Sequence, residues 1–447
     1  MTRSRTQTAK IMLSMLALLS SAADWPQFRG PGGSSVATDG KLPTQWGFPA
    51  DAGDKSDKDK KGPSGGPSPL TPGPSPARGE GSFEDAGQGA NIAWVVPLPG
   101  RSVSSPIVVR GRVIVTCSSG PEQERLHVLS YDAATGQLAW QRQFWATGRT
   151  MTHQTSAVAA NTPASDGEAI FAFFSSNDLI CLELDGTPRW MRGLTLESPT
   201  SYNDTGMSSS PLVAGPSVVV QIESHGKSFA AAVDRRTGQT RWQVDREAHP
   251  NWVSPALLPG HDGSPDLVLL QSGDGLTAHK ALDGEQVWKF EGKCDGIPST
   301  LATGEMVFVP AKGLTALRSA DGTPQTVWSE AKLAAGNASP VLYDGRIYVL
   351  NRAGALSCGK AESGDVLWRT RLKGTYWATP IAAGGYLYCI NQDGIGSVVR
   401  AGDKGEIVST NRLASDGEQF LGSPATDGHA LYVRSGKHLW KIAEPGK

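Results

Sequence analysis

Charge is scarce in this chain and almost balanced. Charged residues make up 19% of the 447, with Lys+Arg 42 against Asp+Glu 43 and a net charge of −1. Nucleic-acid binding draws its affinity from an excess of phosphate-neutralising cations, so that class is excluded. A long solvated helix or coiled coil needs more charge than this. Cysteine is sparse as well. The five, at 117, 181, 294, 358 and 389, are odd in number, widely spaced and never arranged Cys-x-x-Cys, so neither a disulfide framework nor a thiolate metal site is expected. The eight histidines show no His-x-His or His-Glu-x-x-His spacing, and no metal site is expected from them. Long apolar runs are missing: the longest, residues 11–19, is too short to span a bilayer. What the chain has in quantity is glycine (53), proline (30) and tryptophan (13, against 11 Phe and 8 Tyr). Many glycines mean many turns, and so many tryptophans should have assigned places.

The first ninety residues divide into three. Arg3, Arg5 and Lys10 precede the short apolar run, and Ser21-Ala22-Ala23 follows it. That is the layout of a secretory signal peptide over 1–23, so an exported protein, periplasmic or secreted, is expected. No cysteine follows the run, which gives no support to a lipid anchor. Residues 24–48 form a lead-in, DWPQFRGPGGSS and then LPTQW. Residues 49–90 are a mixed charge run followed by prolines 63, 67, 69, 72, 74 and 76. Almost nothing there can bury itself, so a disordered surface insert is expected.

Internal repetition dominates the rest, 91–443, leaving 444–447 as a tail. One motif is a small residue and proline, a short spacer, a glycine and an alternating apolar strand, as in SSPIVVRGRVIVTC (104–117) and SPVLYDGRIYVL (339–350). Its anchor prolines are 106, 163, 211, 255, 298, 340, 380 and 424. A second motif lies between them: an apolar strand, a Thr-Gly or Asp-Gly turn, then tryptophan. Examples are SYDAATGQLAW (130–140), AVDRRTGQTRW (232–242) and KALDGEQVW (280–288). Its tryptophans are Trp140, Trp190, Trp242, Trp288, Trp328 and Trp368, with Ser409 in the slot of the seventh unit and Trp94 supplying the eighth from upstream.

Each unit therefore reads as four short antiparallel strands joined by tight turns. One such sheet leaves both faces partly apolar, and radial packing of eight sheets hides them. The expected fold is all-β, an eight-bladed propeller of four-stranded antiparallel blades. The strand at 91–97 should complete the last blade, whose other three strands come from 420–443, and so close the ring. The repeated tryptophan should fill the gap between adjacent blades.

The A-x-D-x-x-T-G-x-x-x-W pattern resembles the quinoprotein-type propeller repeat of pyrroloquinoline quinone (PQQ) dehydrogenases, over roughly 91–443. The lead-in resembles that of exported bacterial PQQ-like propellers of unassigned function. The absence of any Trp-Asp dipeptide argues against WD40. Relatives with dehydrogenase activity carry an adjacent Cys-Cys pair, a Ca²⁺ site from Glu and Asn, and a catalytic Asp. This chain has no Cys-Cys pair and is short. The other well-known relative is a non-catalytic scaffold of outer-membrane protein assembly. The expected function is thus a non-catalytic binding or scaffold propeller, with an envelope protein or a small molecule as partner, no nucleic acid and no membrane span, and a monomeric state. The alternative is a PQQ- and Ca²⁺-dependent oxidoreductase of alcohols or sugars. No catalytic residue is nominated.

Propeller geometry places the candidate site on the axis, in the loops leading into the innermost strands. The candidates are Arg101, His153, Asn203, Asp204, Asn251, Trp252, Asp295, Asn337, Tyr376, Trp377 and Gln419, with Arg352 from the loops between second and third strands. Trp252 or Trp377 would stack on a flat ligand, and Arg101 or Arg352 would pair with its carboxylate.

Overall fold

The structure is a computed structural model that describes residues 24–49, 89–320, 323–413 and 417–446. Residues 1–23, where a signal peptide is expected, and nearly all of the Pro-rich segment lie outside the described residues. Strands make up almost all of the regular structure. Eight sheets form a ring, each with four strands in sequential antiparallel order from the axis outward. Blade one is Ile107–Val109, Arg112–Ser119, Arg125–Asp132 and Leu138–Trp145. Blades two to seven begin at Ala164–Ser165, Leu212–Ala214, Ala256–Leu258, Leu301–Thr303, Val341–Tyr343 and Ile381–Ala383. Blade eight begins at Ala425–Thr426, and its outer strand is Ile92–Pro97, paired antiparallel with His438–Ile442 from the far end of the chain. The ring closes as the strand count predicts.

The middle strands are buried throughout: Val113–Cys117 and Phe171–Phe174 are essentially without exposure. These strands are covered on both faces by neighbouring blades, so they read as continuous apolar runs. The outer strands alternate, as Thr240–Arg246 does, because one edge meets solvent.

One sequence expectation needs correction. The position of the anchor proline in blade five belongs to Thr300, not Pro298. Each innermost strand starts one residue after its anchor (Ile107 after Pro106, Val341 after Pro340), and in blade five the strand starts at Leu301. Pro298 sits two residues earlier on the approach to it.

The lead-in does not stop at the rim. It enters the axial channel and uses the free inner edges of the blades. Trp25 bridges Val108 of blade one, and Ser165 of blade two donates its N–H to Pro26 O at 2.7 Å. Val36–Ala37 then pairs in parallel with the innermost strand of blade seven, and Phe48–Pro49 pairs with that blade's outermost strand. Blade seven is thereby extended to six strands. The FRGPGG turn works because Gly30 has φ 68° and the Trp25 ring lies where its Cβ would be, at 2.5 Å. Only glycine fits there.

Candidate functional site

The approach to each innermost strand is extended, so alternate side chains face the axis. Two tiers result. The lower is a ring of hydroxyls: Ser105, Thr162, Ser210, Ser254, Ser299, Ser339, Thr379 and Ser423. Seven links join them in series, the backbone N–H of one donating to the hydroxyl of the next blade. The links run Ser105 to Thr162 (2.9 Å), Thr162 to Ser210 (3.0 Å), Ser210 to Ser254 (2.9 Å) and Ser254 to Ser299 (3.1 Å). They continue Ser299 to Ser339 (2.9 Å), Ser339 to Thr379 (3.0 Å) and Thr379 to Ser423 (2.9 Å). The belt explains why every unit keeps a small hydroxyl here. Among the described residues none of the eight hydroxyls donates a bond of its own, so their O–H groups are left for whatever occupies the axis.

Two residues earlier comes the upper tier: Val103, Ala160, Ser208, Trp252, Ile297, Asn337, Trp377 and Leu421. Together the tiers wall a cavity of about 350 Å³. Phe28 of the lead-in is its floor, and His153 and Thr155 stand at its mouth. The channel is thus a cup, open at one end. Trp252 is held by its Nε1–H on Gly206 O at 2.8 Å. Trp377 donates to Gln392 Oε1 at 3.2 Å and carries the Arg352 guanidinium 5.2 Å from its ring centre.

Of the twelve candidates from sequence, His153, Trp252, Asn337 and Trp377 come together around this cavity. Asn337 brings an amide Nδ2 that is buried without a partner among the described residues. Arg352 reaches the rim through Trp377. The others lie elsewhere. Asn251 and Tyr376 precede Trp252 and Trp377 by one residue, so they point the opposite way and are buried, at 3% and 0% exposure. Asn251 donates to Glu223 Oε2 (2.9 Å) and Gln271 O (2.7 Å). Glu223 in turn holds Arg246 at 2.8 Å in a buried ion pair, so this network fastens blades three and four rather than lining the cup. Asn203 is buried, and its Oδ1 accepts from Thr205 N and Oγ1. Asp204 is exposed beside Arg149 at 3.9 Å. Arg101 donates to Gln154 O. Asp295 and Gln419 stand exposed on the loops. Sequence reasoning missed the hydroxyl ring, though the small residue before each anchor is its signature, and missed Ile297 because the blade-five anchor was misplaced.

The tryptophans of the repeat lie far from the cup, between blades. Trp94, Trp140, Trp190, Trp242, Trp328 and Trp368 each donate Nε1–H to a carbonyl of the following blade, for example Trp242 to Ala281 O at 3.0 Å and Trp368 to Gly402 O at 2.6 Å. Trp288 is buried at 4% exposure. The five cysteines are free and buried. Burial pushes the Cys294, Cys181 and Cys389 thiols up to about 12, which makes them poor nucleophiles and ligands. Among the described residues no group of three or more His, Cys, Asp and Glu is placed to hold a metal, and no helix is long and apolar enough to cross a membrane.

A family model described as outer membrane protein assembly factor BamB matches residues 85–229, 226–332 and 313–446. No curated protein sequence matches the chain. Among solved structures, BamB from Moraxella catarrhalis superposes with a TM-score of 0.58 at 17% identity, covering 78% of this chain and 99% of that one. The quinohemoprotein alcohol dehydrogenase from Comamonas testosteroni gives 0.64 at 11%, covering 96% and 82%. A europium-containing methanol dehydrogenase gives 0.59 at 13%, covering 79% and 93%. At such identities the likeness is one of fold.

Proposed function

Since the chain belongs to the family described as outer membrane protein assembly factor BamB, the PQQ-like propellers, we propose that it is an exported, monomeric, non-catalytic binding propeller. Its ligand is a small molecule held in the axial cup. The observation that carries this reading is the cup itself: about 350 Å³, floored by Phe28, flanked by Trp252 and Trp377, and ringed by hydroxyls with unused O–H groups. Aromatic walls favour a flat apolar body, and donors at the bottom favour carbonyl or carboxylate oxygens at its inner end. A protein partner would meet the same mouth through the exposed loop ring.

The oxidoreductase reading draws on the dehydrogenases of like fold. The two tryptophans suit a stacked quinone. The remaining residues do not suit the group: among the described residues lining the cavity there is no Asp, Glu or Cys, so a Ca²⁺ ion finds no anionic ligand and no carboxylate is placed to act as a base. No reaction step is derived through PQQ.

Two measurements test the proposal. Native mass spectrometry after incubation with a small-molecule extract should show one saturable adduct per chain. Trp377→Ala should weaken it by about tenfold or more, with little change in melting temperature. Titration with PQQ and Ca²⁺ that ends in dye-linked alcohol oxidation with turnover would replace the binding reading with the quinoprotein one.

A further inference from the structure

The lead-in carries one cation into the interior without a counter-charge. Arg29 follows the floor residue Phe28, and its backbone has φ 63°. Its side chain turns toward the inner strands and is buried, at 4% exposure. A guanidinium has five N–H donors and no acceptor. Here Nη2 donates to Thr300 O at 2.7 Å, while Nε and Nη1 are buried without a partner. Among the described residues no carboxylate forms an ion pair with it. Burial lowers its pKa to about 10, which leaves it charged at neutral pH. An unpaired buried charge is among the costliest features a folded chain retains.

Beside Arg29 lies a second, much smaller void of about 20 Å³, between the lead-in turn and the inner strands of blades three and four. Its walls include Phe28, Arg29, Gly33, Ser210 and Ser254. That space admits one particle of about the size of a water molecule. The chemistry of the walls is one-sided. The Ser210 and Ser254 hydroxyls each accept one bond, from the N–H groups of Thr162 and Ser210 at 3.0 and 2.9 Å, and their O–H groups remain free to donate. Arg29 has only donors. No acidic side chain lines the void among the described residues. A water molecule would satisfy some donors but leave the charge. A carboxylate or phosphate is too large for the space.

We propose that this void is a binding site for a single halide-sized inorganic anion, held by Arg29, Ser210 and Ser254. The anion neutralises Arg29 and fastens the lead-in across the bottom of the channel. Phe28 lines both spaces and stands between this ion and the cup above, and Ser210 and Ser254 line both as well; with the ion bound, the other six hydroxyls of the ring remain for the cup's ligand.

The test uses the full chain. Crystals grown in sodium bromide should show an anomalous peak in contact with the Arg29 guanidinium and the two serine hydroxyls. In solution, thermal unfolding is followed at constant ionic strength while chloride replaces gluconate, which is too bulky for the void. Melting temperature should rise with the logarithm of chloride concentration, by roughly 2–3 °C at a hundredfold excess over the dissociation constant. In Arg29→Met the two salts should give the same curve. Should that variant not fold, the bromide map and the wild-type salt comparison still decide. Bromide bound only elsewhere, together with identical wild-type melting in the two salts, overturns the proposal.

Discussion

Within one repeat the glycine and the tryptophan stand four residues apart, yet they serve different boundaries. Gly284 receives the Trp242 ring of the preceding blade, whereas Trp288 of the same turn packs toward the following one. At Gly284 φ is 78°, and a Cβ would lie 2.8 Å from the Trp242 ring. The same contact recurs at Gly136 with Trp94 (2.8 Å), Gly186 with Trp140 (2.6 Å) and Gly364 with Trp328 (2.7 Å). The motif is therefore a two-sided joint: a left-handed glycine makes the flat seat and the ring fills it. Trp242, at 6% exposure, should cost about 3–5 kcal/mol when truncated to Ala. Gly284→Ala should cost more than the ~1–2 kcal/mol of left-handed backbone strain alone, because the added methyl also meets the ring. In a Trp242→Ala background only the backbone part should remain. A double-mutant cycle by urea unfolding should thus show a coupling of about 1 kcal/mol or more. Strict additivity would mean that ring and glycine are independent.

The lead-in is the element that most changes the reading of the molecule. It explains why Ser409 stands where the other units have tryptophan. The outer edge of blade seven is covered by Phe48–Pro49, Ser409 Oγ donates to Thr44 O, and Trp46 stacks near Tyr388 at 6.2 Å between ring centres. An eighth repeat tryptophan in this slot would meet the strap. Trp46 is buried at 2% exposure, and its backbone N–H donates to Asn411 Oδ1 at 3.2 Å. Trp46→Ala should cost about 3–5 kcal/mol in chemical unfolding, as much as loss of a repeat tryptophan. An effect below 1 kcal/mol would mean the strap adds nothing to the ring. Little of this was legible beforehand. The blades announce themselves through eightfold recurrence of strand, turn and ring. The lead-in pairs through two-residue strands with partners hundreds of positions away, and such segments are too short for any periodicity. The cup was half legible for a related reason. Trp252, Asn337 and Trp377 fall on axis-facing positions, while Asn251 and Tyr376, one residue earlier, fall on the opposite side of an extended chain. That distinction depends on a register of one residue, which polarity alone does not reveal.

At the scale of the whole molecule, the ring is closed by joining Ile92–Pro97 to His438–Ile442, and the segment between lead-in and closing strand must leave and return somewhere on that seam. The structure gives both ends. Gly47 N–H donates to Ala90 O at 2.8 Å, and the two residues form a bridge. Asn91 adds a side-chain bond to Gln45 O at 2.7 Å. The chain that departs after Pro49 and re-enters at Gly89 thus starts and finishes at one clasped base. Excision should be cut inside that clasp, at 50–88, because removal of 49–90 takes Pro49 from its pairing with Asn411 and Ala90 from its bond to Gly47. Replacing 50–88 by a short Gly-Ser bridge keeps the lead-in strap, the closing strand and every bond described between them. If the excised residues make no packing contacts, the variant loses nothing and gains from a shorter closure loop, up to about 2 kcal/mol by loop-entropy scaling. Its melting temperature should equal or slightly exceed that of the full chain. A fall of many degrees in calorimetry would show that these residues pack on the propeller, and that the low-complexity composition conceals a structural element.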